Sequence, residues 1–306
     1  MPARIGRIRR WCVQCLVLFS IHAWVPLVLA DDGKTAFSDY VIGHRWLAEP
    51  ENRQQVLILD TRPEQEYLGG HIPEAVNLPV AATFGAGSRD DLVAPLNVLQ
   101  ELFSKAGIDN QTKVVIYDSG NYIDAARVAW ILESLGHAQI TIVDGGFTAW
   151  QNDTLPISTQ PRPRPKANFI PEPDPDRLAT MLSTRIAIDS PGVMILDART
   201  PAEYAGERSK ASRFGHIPTA INIPWRSVYR TEDGETRLKS EAEIRAMYSG
   251  LDPDKKVITY CNKGKQSALT HFILRRLGYD VAAYDGSWVE WGNTRHLPIV
   301  NPSAEH

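Results

Sequence analysis

Short apolar runs, each closed by an acid, recur along the chain: VLILD (Val56–Asp60), KVVIYD (Lys113–Asp118) and ITIVD (Ile140–Asp144). They are rich in β-branched residues and show no polar alternation, the pattern of strands buried on both faces. DAARVAWILESLG (Asp124–Gly136) and KQSALTHFILRRLG (Lys265–Gly278) instead carry apolar residues at helical spacing and stop at glycine. Strand, loop, helix, strand is therefore the predicted order. Such alternation implies right-handed crossovers and an α/β fold with a mostly parallel sheet flanked by helices. In such folds function sits beyond the carboxyl ends of the strands.

The pattern occurs twice. Val56–Pro79 (VLILDTRPEQEYLGGHIPEAVNLP) matches Val193–Pro224 (VMILDARTPAEYAGERSKASRFGHIPTAINIP), with an eight-residue insertion in the second copy. Further on, KVVIYD matches KVITYC (Lys256–Cys261), LESLG matches LRRLG, and VDGGFTAW (Val143–Trp150) matches YDGSWVEW (Tyr284–Trp291). Order and spacing hold throughout, so the chain is a duplicated unit. Between the copies lies PRPRPKANFIPEPDPD (Pro161–Asp176), whose alternating prolines predict a stiff extended connector. We expect domains at 31–160 and 176–306 joined by a linker at 161–175.

Composition changes this picture at one end only. The 306 residues are 43% apolar and 23% charged with a formal charge of −3, which excludes disordered, collagen-like and multi-span membrane classes and gives no nucleic-acid signature. Residues 1–30 combine Arg4, Arg7, Arg9 and Arg10 with an apolar run from Trp11 and a small-residue exit at Ala30, before Asp31 and Asp32. This layout predicts a secretory signal peptide cleaved after Ala30 and a periplasmic or secreted mature chain. An uncleaved anchor is the alternative, and the Arg9-Arg10 pair is weak support for twin-arginine export. Cleavage removes four arginines and no acid, taking the charge from −3 to −7. It also removes Cys12 and Cys15, leaving Cys261 alone and without an intramolecular partner.

Cys261 ends the strand Val257–Tyr260 and begins a polar loop, Asn262-Lys263-Gly264-Lys265-Gln266, before a helix starting near Ser267. Loop amides, the helix dipole and two lysines all favour thiolate, so Cys261 is expected to be partly ionised near neutral pH. The alternative is a buried core cysteine, which normally lies within an apolar run. A cysteine phosphatase would need an arginine ending the loop to clamp phosphate. Here no arginine follows before Arg275, and the short loop suits a thiolate carrying one extra sulfur.

The duplicated unit, the Asp-x-Arg…Glu-Tyr…Gly-His-Ile-Pro-x-Ala motif, the Cys-x-x-Gly-x-x-Ser loop and the Tyr-Asp-Gly-Ser-Trp-x-Glu-Trp ending together resemble the tandem-domain rhodaneses across essentially the whole mature chain. The resemblance implies two rhodanese domains, the second one catalytic, and transfer of a sulfane sulfur through a persulfide on Cys261. Asn262, Lys263, Gly264, Lys265, Gln266 and Ser267 are the implied substrate-binding loop. Asp118 stands in the first copy where Cys261 stands in the second; a carboxylate cannot become a persulfide, so the first domain is expected to be inactive.

Thiosulfate enzymes of this family often read Cys-Arg-Lys-Gly-Val-Thr. Here Asn262 and Gln266 depart from that pattern while Lys263 and Gly264 keep it. The mercaptopyruvate enzymes often read Cys-Gly-Ser-Gly-Val-Thr, without the lysine, so Lys263 favours thiosulfate. Family members tend to carry arginine at the position of Glu203, and Arg213, at the end of the insertion, is a candidate replacement; its alternative is a solvated loop residue. The expected partners are a small anionic sulfur donor and a thiophilic acceptor such as cyanide or a thiol, with no nucleic acid, no stable membrane insertion after signal cleavage, no cofactor and no metal, on a monomer. Alternatives are a 3-mercaptopyruvate donor, or an exported carrier delivering persulfide to a protein. His71 and His216 match between the copies, so both are expected to be structural. Asp60 and Asp197 are expected to hold backbone with Arg62 and Arg199, and Trp288 and Trp291 to pack.

Overall fold

The computed structural model describes residues 40–86, 92–232 and 235–305. The predicted signal peptide lies outside these residues. In the first half the elements are β1 (Val41–Gly43), α1 (Pro50–Gln54), β2 (Leu57–Asp60), α2 (Glu64–Gly69), β3 (Val76–Asn77), α3 (Leu96–Lys105), β4 (Val114–Tyr117), α4 (Ile123–Ser134), β5 (Ile140–Asp144) and α5 (Gly146–Asn152). The second half runs β6 (Leu178–Ala179), α6 (Met181–Ala187), β7 (Val193–Asp197), α7 (Pro201–Tyr204), β8 (Ile221–Asn222), β9 (Tyr229–Glu232), β10 (Glu235–Leu238), α8 (Glu241–Met247), β11 (Lys256–Tyr260), α9 (Gln266–Arg276), β12 (Val281–Tyr284) and α10 (Ser287–Asn293).

Each half builds a five-stranded sheet, in the orders β1-β5-β4-β2-β3 and β6-β12-β11-β7-β8, with every neighbouring pair parallel. The two orders superpose element for element, as the duplication predicts. The central strands β4 and β11 are buried along almost their whole length, which is why they read as unbroken apolar runs. The hairpin β9–β10 has no counterpart in the first half.

The inner faces of both sheets share one apolar core through α4 and α9. Helix α4 is buried from Ala125 to Leu132, all round its circumference, because a sheet covers one side and α9 the other. The connector carries no helix or extended ladder, and it is strapped to the first half. Ala167 and Phe169 donate to the Ser104 carbonyl and hydroxyl (2.9 and 3.2 Å), Glu172 donates to the Leu135 carbonyl, and the Phe169 ring stands edge-on to Phe103. No helix among the described residues is long and apolar enough to cross a membrane.

Two titratable groups lie at the α4–α9 seam. Glu133 of α4 takes Arg275 and Arg276 of α9 at 3.1 Å each. Burial works to raise its carboxyl, but Arg276 leads the opposing charges that hold it down at about 2. His271 is fully buried with neither ring nitrogen hydrogen-bonded, and burial drives its pKa down to about 3. Both folded values lie below the unfolded ones, so the stability they contribute is complete above about pH 6.5 and is lost as pH falls. His271 acts first, Glu133 below about pH 4.5. Thermal melts are expected to show a falling Tm from pH 7 to pH 4. His271→Leu, which strands no partner, is expected to flatten the upper part of that fall; a wild-type Tm unchanged between pH 7 and pH 5 would contradict this.

Candidate active site

Cys261 follows β11 and precedes α9, at the carboxyl edge of the second sheet. The loop is shaped by what it can bond to. The Cys261 and Asn262 carbonyls accept the N–H groups of Trp288 and Val289 at 3.0 Å each. The Cys261 and Gly264 N–H groups both donate to Ser287 Oγ, at 3.2 and 3.1 Å. That hydroxyl gives its own proton to the Tyr284 carbonyl at 2.7 Å and stands 4.0 Å from the Cys261 sulfur. Ser287 adopts φ +50°, a left-handed conformation that costs a β-carbon-bearing residue energy; the matching residue of the first half is Gly146, at φ +54°. A strained serine where glycine would suffice marks Ser287 as a residue kept for its hydroxyl.

The strand beneath the loop is pinned from below. Tyr260 gives its hydroxyl proton to Asp197 Oδ2 at 2.5 Å, and Asp197 takes the Arg199 guanidinium on both oxygens. Arg199 also holds the Gly215 carbonyl and lies 4.4 Å over the Trp288 ring. Asp60, Arg62, Tyr117 and Gly70 repeat this in the first half. His71 and His216 each stack on a tyrosine, Tyr67 and Tyr204, at 3.7 Å and bond through Nδ1 to that tyrosine's carbonyl, a structural arrangement in both copies.

The first half shows what this kind of loop does with a negative charge. Asp118 sits at the cysteine's place, and its carboxylate accepts four backbone N–H groups. Gly120 and Tyr122 donate to Oδ1 (2.7 and 3.2 Å), and Asp124 and Ala125 donate to Oδ2 (3.2 and 3.3 Å). Burial pushes the Asp118 carboxyl up from its ordinary value against these donors. The cradle is thus filled by the chain's own acid. Asn262, Lys263, Gly264 and Lys265 follow Cys261 before α9 begins.

Comparison with known proteins agrees with this duplicated architecture: the profile described as Rhodanese-like domain matches residues 44–153 and again 179–294. The chain belongs to the rhodanese family. A putative thiosulfate sulfurtransferase of Saccharopolyspora erythraea is 32% identical over 280 residues, covering 87% of this chain and 98% of that one. The 3-mercaptopyruvate sulfurtransferase of Escherichia coli K12 is 30% identical over 281 residues, 85% and 97% of the two chains. Among solved structures, the rhodanese-fold SseA from Escherichia coli matches with a TM-score of 0.73 at 28% identity, covering 82% of this chain and 99% of that one. The chain is a sulfurtransferase, and the names of its relatives divide over the donor.

Within this rhodanese, the predicted site residues separate into those gathered at the sulfur and those spent elsewhere. Cys261 is fully buried and borders the shared core, although the polar loop led us to expect otherwise. Asn262 donates to Glu203 Oε1 at 2.9 Å. Glu203 itself caps α7, its Oε2 taking the Thr200 N–H and hydroxyl. Lys263 is exposed, Gln266 is the first residue of α9, and Ser267 is buried with its hydroxyl unpaired. Gly264 has φ +72°, and a β-carbon there would fall 2.7 Å from the Asp285 carbonyl. Lys265 corrects the expectation of two lysines free for a donor: its Nζ lies 2.6 Å from Asp124 of the first half.

Arg213 is a second correction. Its guanidinium donates to the carbonyls of Trp291, Gly292, Thr294, Arg295 and Leu297, so it closes the C-terminal end of α10 and has no share in donor binding. The insertion that carries it contributes otherwise. Arg208, Ser209 and Lys210 line a cleft of about 440 Å³ with Glu203. The cleft adjoins the site through Glu203 to Asn262 and through Ser209, whose hydroxyl accepts the Trp288 indole N–H at 3.0 Å. Trp291 packs, with its indole on the Pro298 carbonyl. Among the described residues there is no group of three or more His, Cys, Asp or Glu placed to hold a metal ion.

Proposed function

We propose that this sulfurtransferase takes the outer sulfur of thiosulfate onto Cys261 as a persulfide and passes it to cyanide or a thiol. The observation that carries the reading is the pair of homologous loops. One encloses a carboxylate with four backbone N–H groups; the other presents, at the same place, the only cysteine beyond residue 15. In the first step the Cys261 sulfur attacks the outer sulfur of thiosulfate, the S–S bond breaks, and its electron pair leaves with sulfite. In the second, the acceptor attacks the outer sulfur of the persulfide and the thiolate leaves, completing a ping-pong cycle. Intact mass of the purified protein is expected to rise by one sulfur with thiosulfate and to return with cyanide. Export of the mature chain belongs to the proposal and rests on residues 1–30 alone.

The donor is assigned from charge. Lys263, two residues after Cys261, is exposed, whereas Lys265 is already paired with Asp124. Lys263→Ala is therefore expected to raise the thiosulfate KM several-fold, about 1 kcal/mol for a partly screened charge. Lys265→Ala is expected to raise it less. The Lys263 effect should shrink as salt rises. The Escherichia coli relative favours 3-mercaptopyruvate as the second reading. Rates with both donors across a salt series decide: a higher kcat/KM with mercaptopyruvate, with thiosulfate kinetics indifferent to Lys263, would transfer the assignment to the keto acid.

A further inference from the structure

The first half supplies a side chain to the second half's loop. Arg127, on α4, is fully buried. Its Nη1 donates to the Gly264 carbonyl at 3.1 Å and to Asp285 Oδ1 at 2.9 Å, and the guanidinium lies 4.1 Å over the Phe84 ring. The other Asp285 oxygen accepts the Val93 N–H at 2.6 Å, so that carboxylate is also held from the first half. Arg127 Nε and Nη2 are buried without a hydrogen-bond partner. The register that matches LESLG with LRRLG puts Leu269 at this position of the second copy, so the arginine is not part of the repeated unit.

A guanidinium buried with two donor atoms unpaired is a poor way to stabilise an interface, since each unmade bond carries a desolvation penalty. What it does at Gly264 is geometric. The peptide between Gly264 and Lys265 is trans, so its carbonyl and its N–H point in opposite directions. With the carbonyl held toward Arg127, the Lys265 N–H is turned the other way. In the first half the left-handed residue before the helix is Tyr122, φ +64°, where the second half has Gly264, and its N–H is aimed at the Asp118 carboxylate. Gly264 suits this peptide orientation: its φ of +72° disfavours a side chain, and a β-carbon would lie 2.9 Å from Arg127 Nη1.

We propose that Arg127 is a positioning residue for sulfur transfer: by fixing the Gly264 carbonyl and Asp285 it holds the Cys261 loop in its working shape, so the catalytic half depends on the half that carries Asp118 in the cysteine's place. This rests on the persulfide reading given above. The test compares full-length wild type with Arg127→Met, which fills a similar volume without a donor. Sulfur loading from thiosulfate is followed by intact mass, and iodoacetamide alkylation at the Cys261 peptide is followed against pH. We expect the variant's kcat to fall tenfold or more with KM changed less than twofold, and the alkylation midpoint to move to higher pH. In Arg127→Ala, added guanidinium ion is expected to restore part of the rate. A folded Arg127→Met with wild-type kcat and alkylation profile would overturn the proposal, as would a loss confined to KM or to Tm. Should the methionine variant not fold, Arg127→Leu is read the same way. Leucine has no donor for the Gly264 carbonyl or Asp285, and a wild-type kcat would equally overturn the proposal. A wild type that gains no sulfur from thiosulfate sinks the donor reading instead, and the alkylation profile still reports on Arg127.

Discussion

Replacing Cys261 by serine is expected to lower sulfur transfer from thiosulfate to cyanide by roughly a thousandfold or more, the scale seen when a covalent nucleophile is removed. A serine hydroxyl is not ionised near neutral pH and cannot hold the sulfur as a persulfide. Folding should survive. The Ser287 hydroxyl stands 4.0 Å from the sulfur, and the loop is held through backbone groups that serine keeps. The change in stability should stay within about 1 kcal/mol. The variant should also show no mass gain with thiosulfate. A folded Cys261→Ser that keeps a tenth of the wild-type rate would end the persulfide assignment. Serine also keeps the loop's shape and charges, so a loss of rate cannot be blamed on donor attraction.

Asp197→Ala should produce the largest loss of stability. Asp197 and Arg199 are both fully buried, and the carboxylate holds the guanidinium on two oxygens at 2.6–3.1 Å while accepting the Tyr260 hydroxyl and the Arg199 N–H. Removing the acid leaves an uncompensated charge in the interior, a cost of about 3–5 kcal/mol. Arg199 keeps the Gly215 carbonyl and the faces of Trp288 and Tyr260. Asp60→Ala removes the equivalent acid and should cost a similar amount in the first half. Because one apolar core joins the halves, each variant is expected to shift a single unfolding transition. Urea denaturation followed by fluorescence and by circular dichroism tests this. A loss under about 1 kcal/mol for Asp197→Ala would show that the pair is not desolvated as described. Two separated transitions would show that the shared core does not couple the halves.

Much of this rhodanese was legible along the chain. Its duplication, its buried parallel strands and the place of Cys261 and Asp118 all follow from local patterns. A strand end, a turn and a helix start are encoded by neighbouring residues, and a repeated motif exposes its own exceptions. Ser287 was legible in principle too, as the serine of YDGSWVEW opposite the second glycine of VDGGFTAW. So was the β9–β10 hairpin, whose Asp233-Gly234 is a turn signal between two short runs. That hairpin docks on the first half: Arg237 bonds the Asp144 carbonyl and Tyr122 the Thr236 carbonyl.

Pairings between distant segments were not legible. Lys263 and Lys265 look alike in sequence, yet only Lys265 meets Asp124, because α4 packs against α9 and brings that acid to the loop. Arg213 looked like a donor-binding charge because it ends the insertion and could replace the arginine that relatives tend to carry at the position of Glu203. The fold returns it to the end of α10, where carbonyls of the last turn and of the chain just beyond it take every donor it has. Arg127 reads as one charged residue in an apolar helix, and nothing in its own neighbourhood names Gly264 or Asp285 as its partners. The sequence alone determined each half's fold and which half keeps a cysteine. The tertiary structure decided which charges remain free at that cysteine, because a side chain's partner across an interface depends on how two helices pack, and hydrophobic periodicity records only that they do.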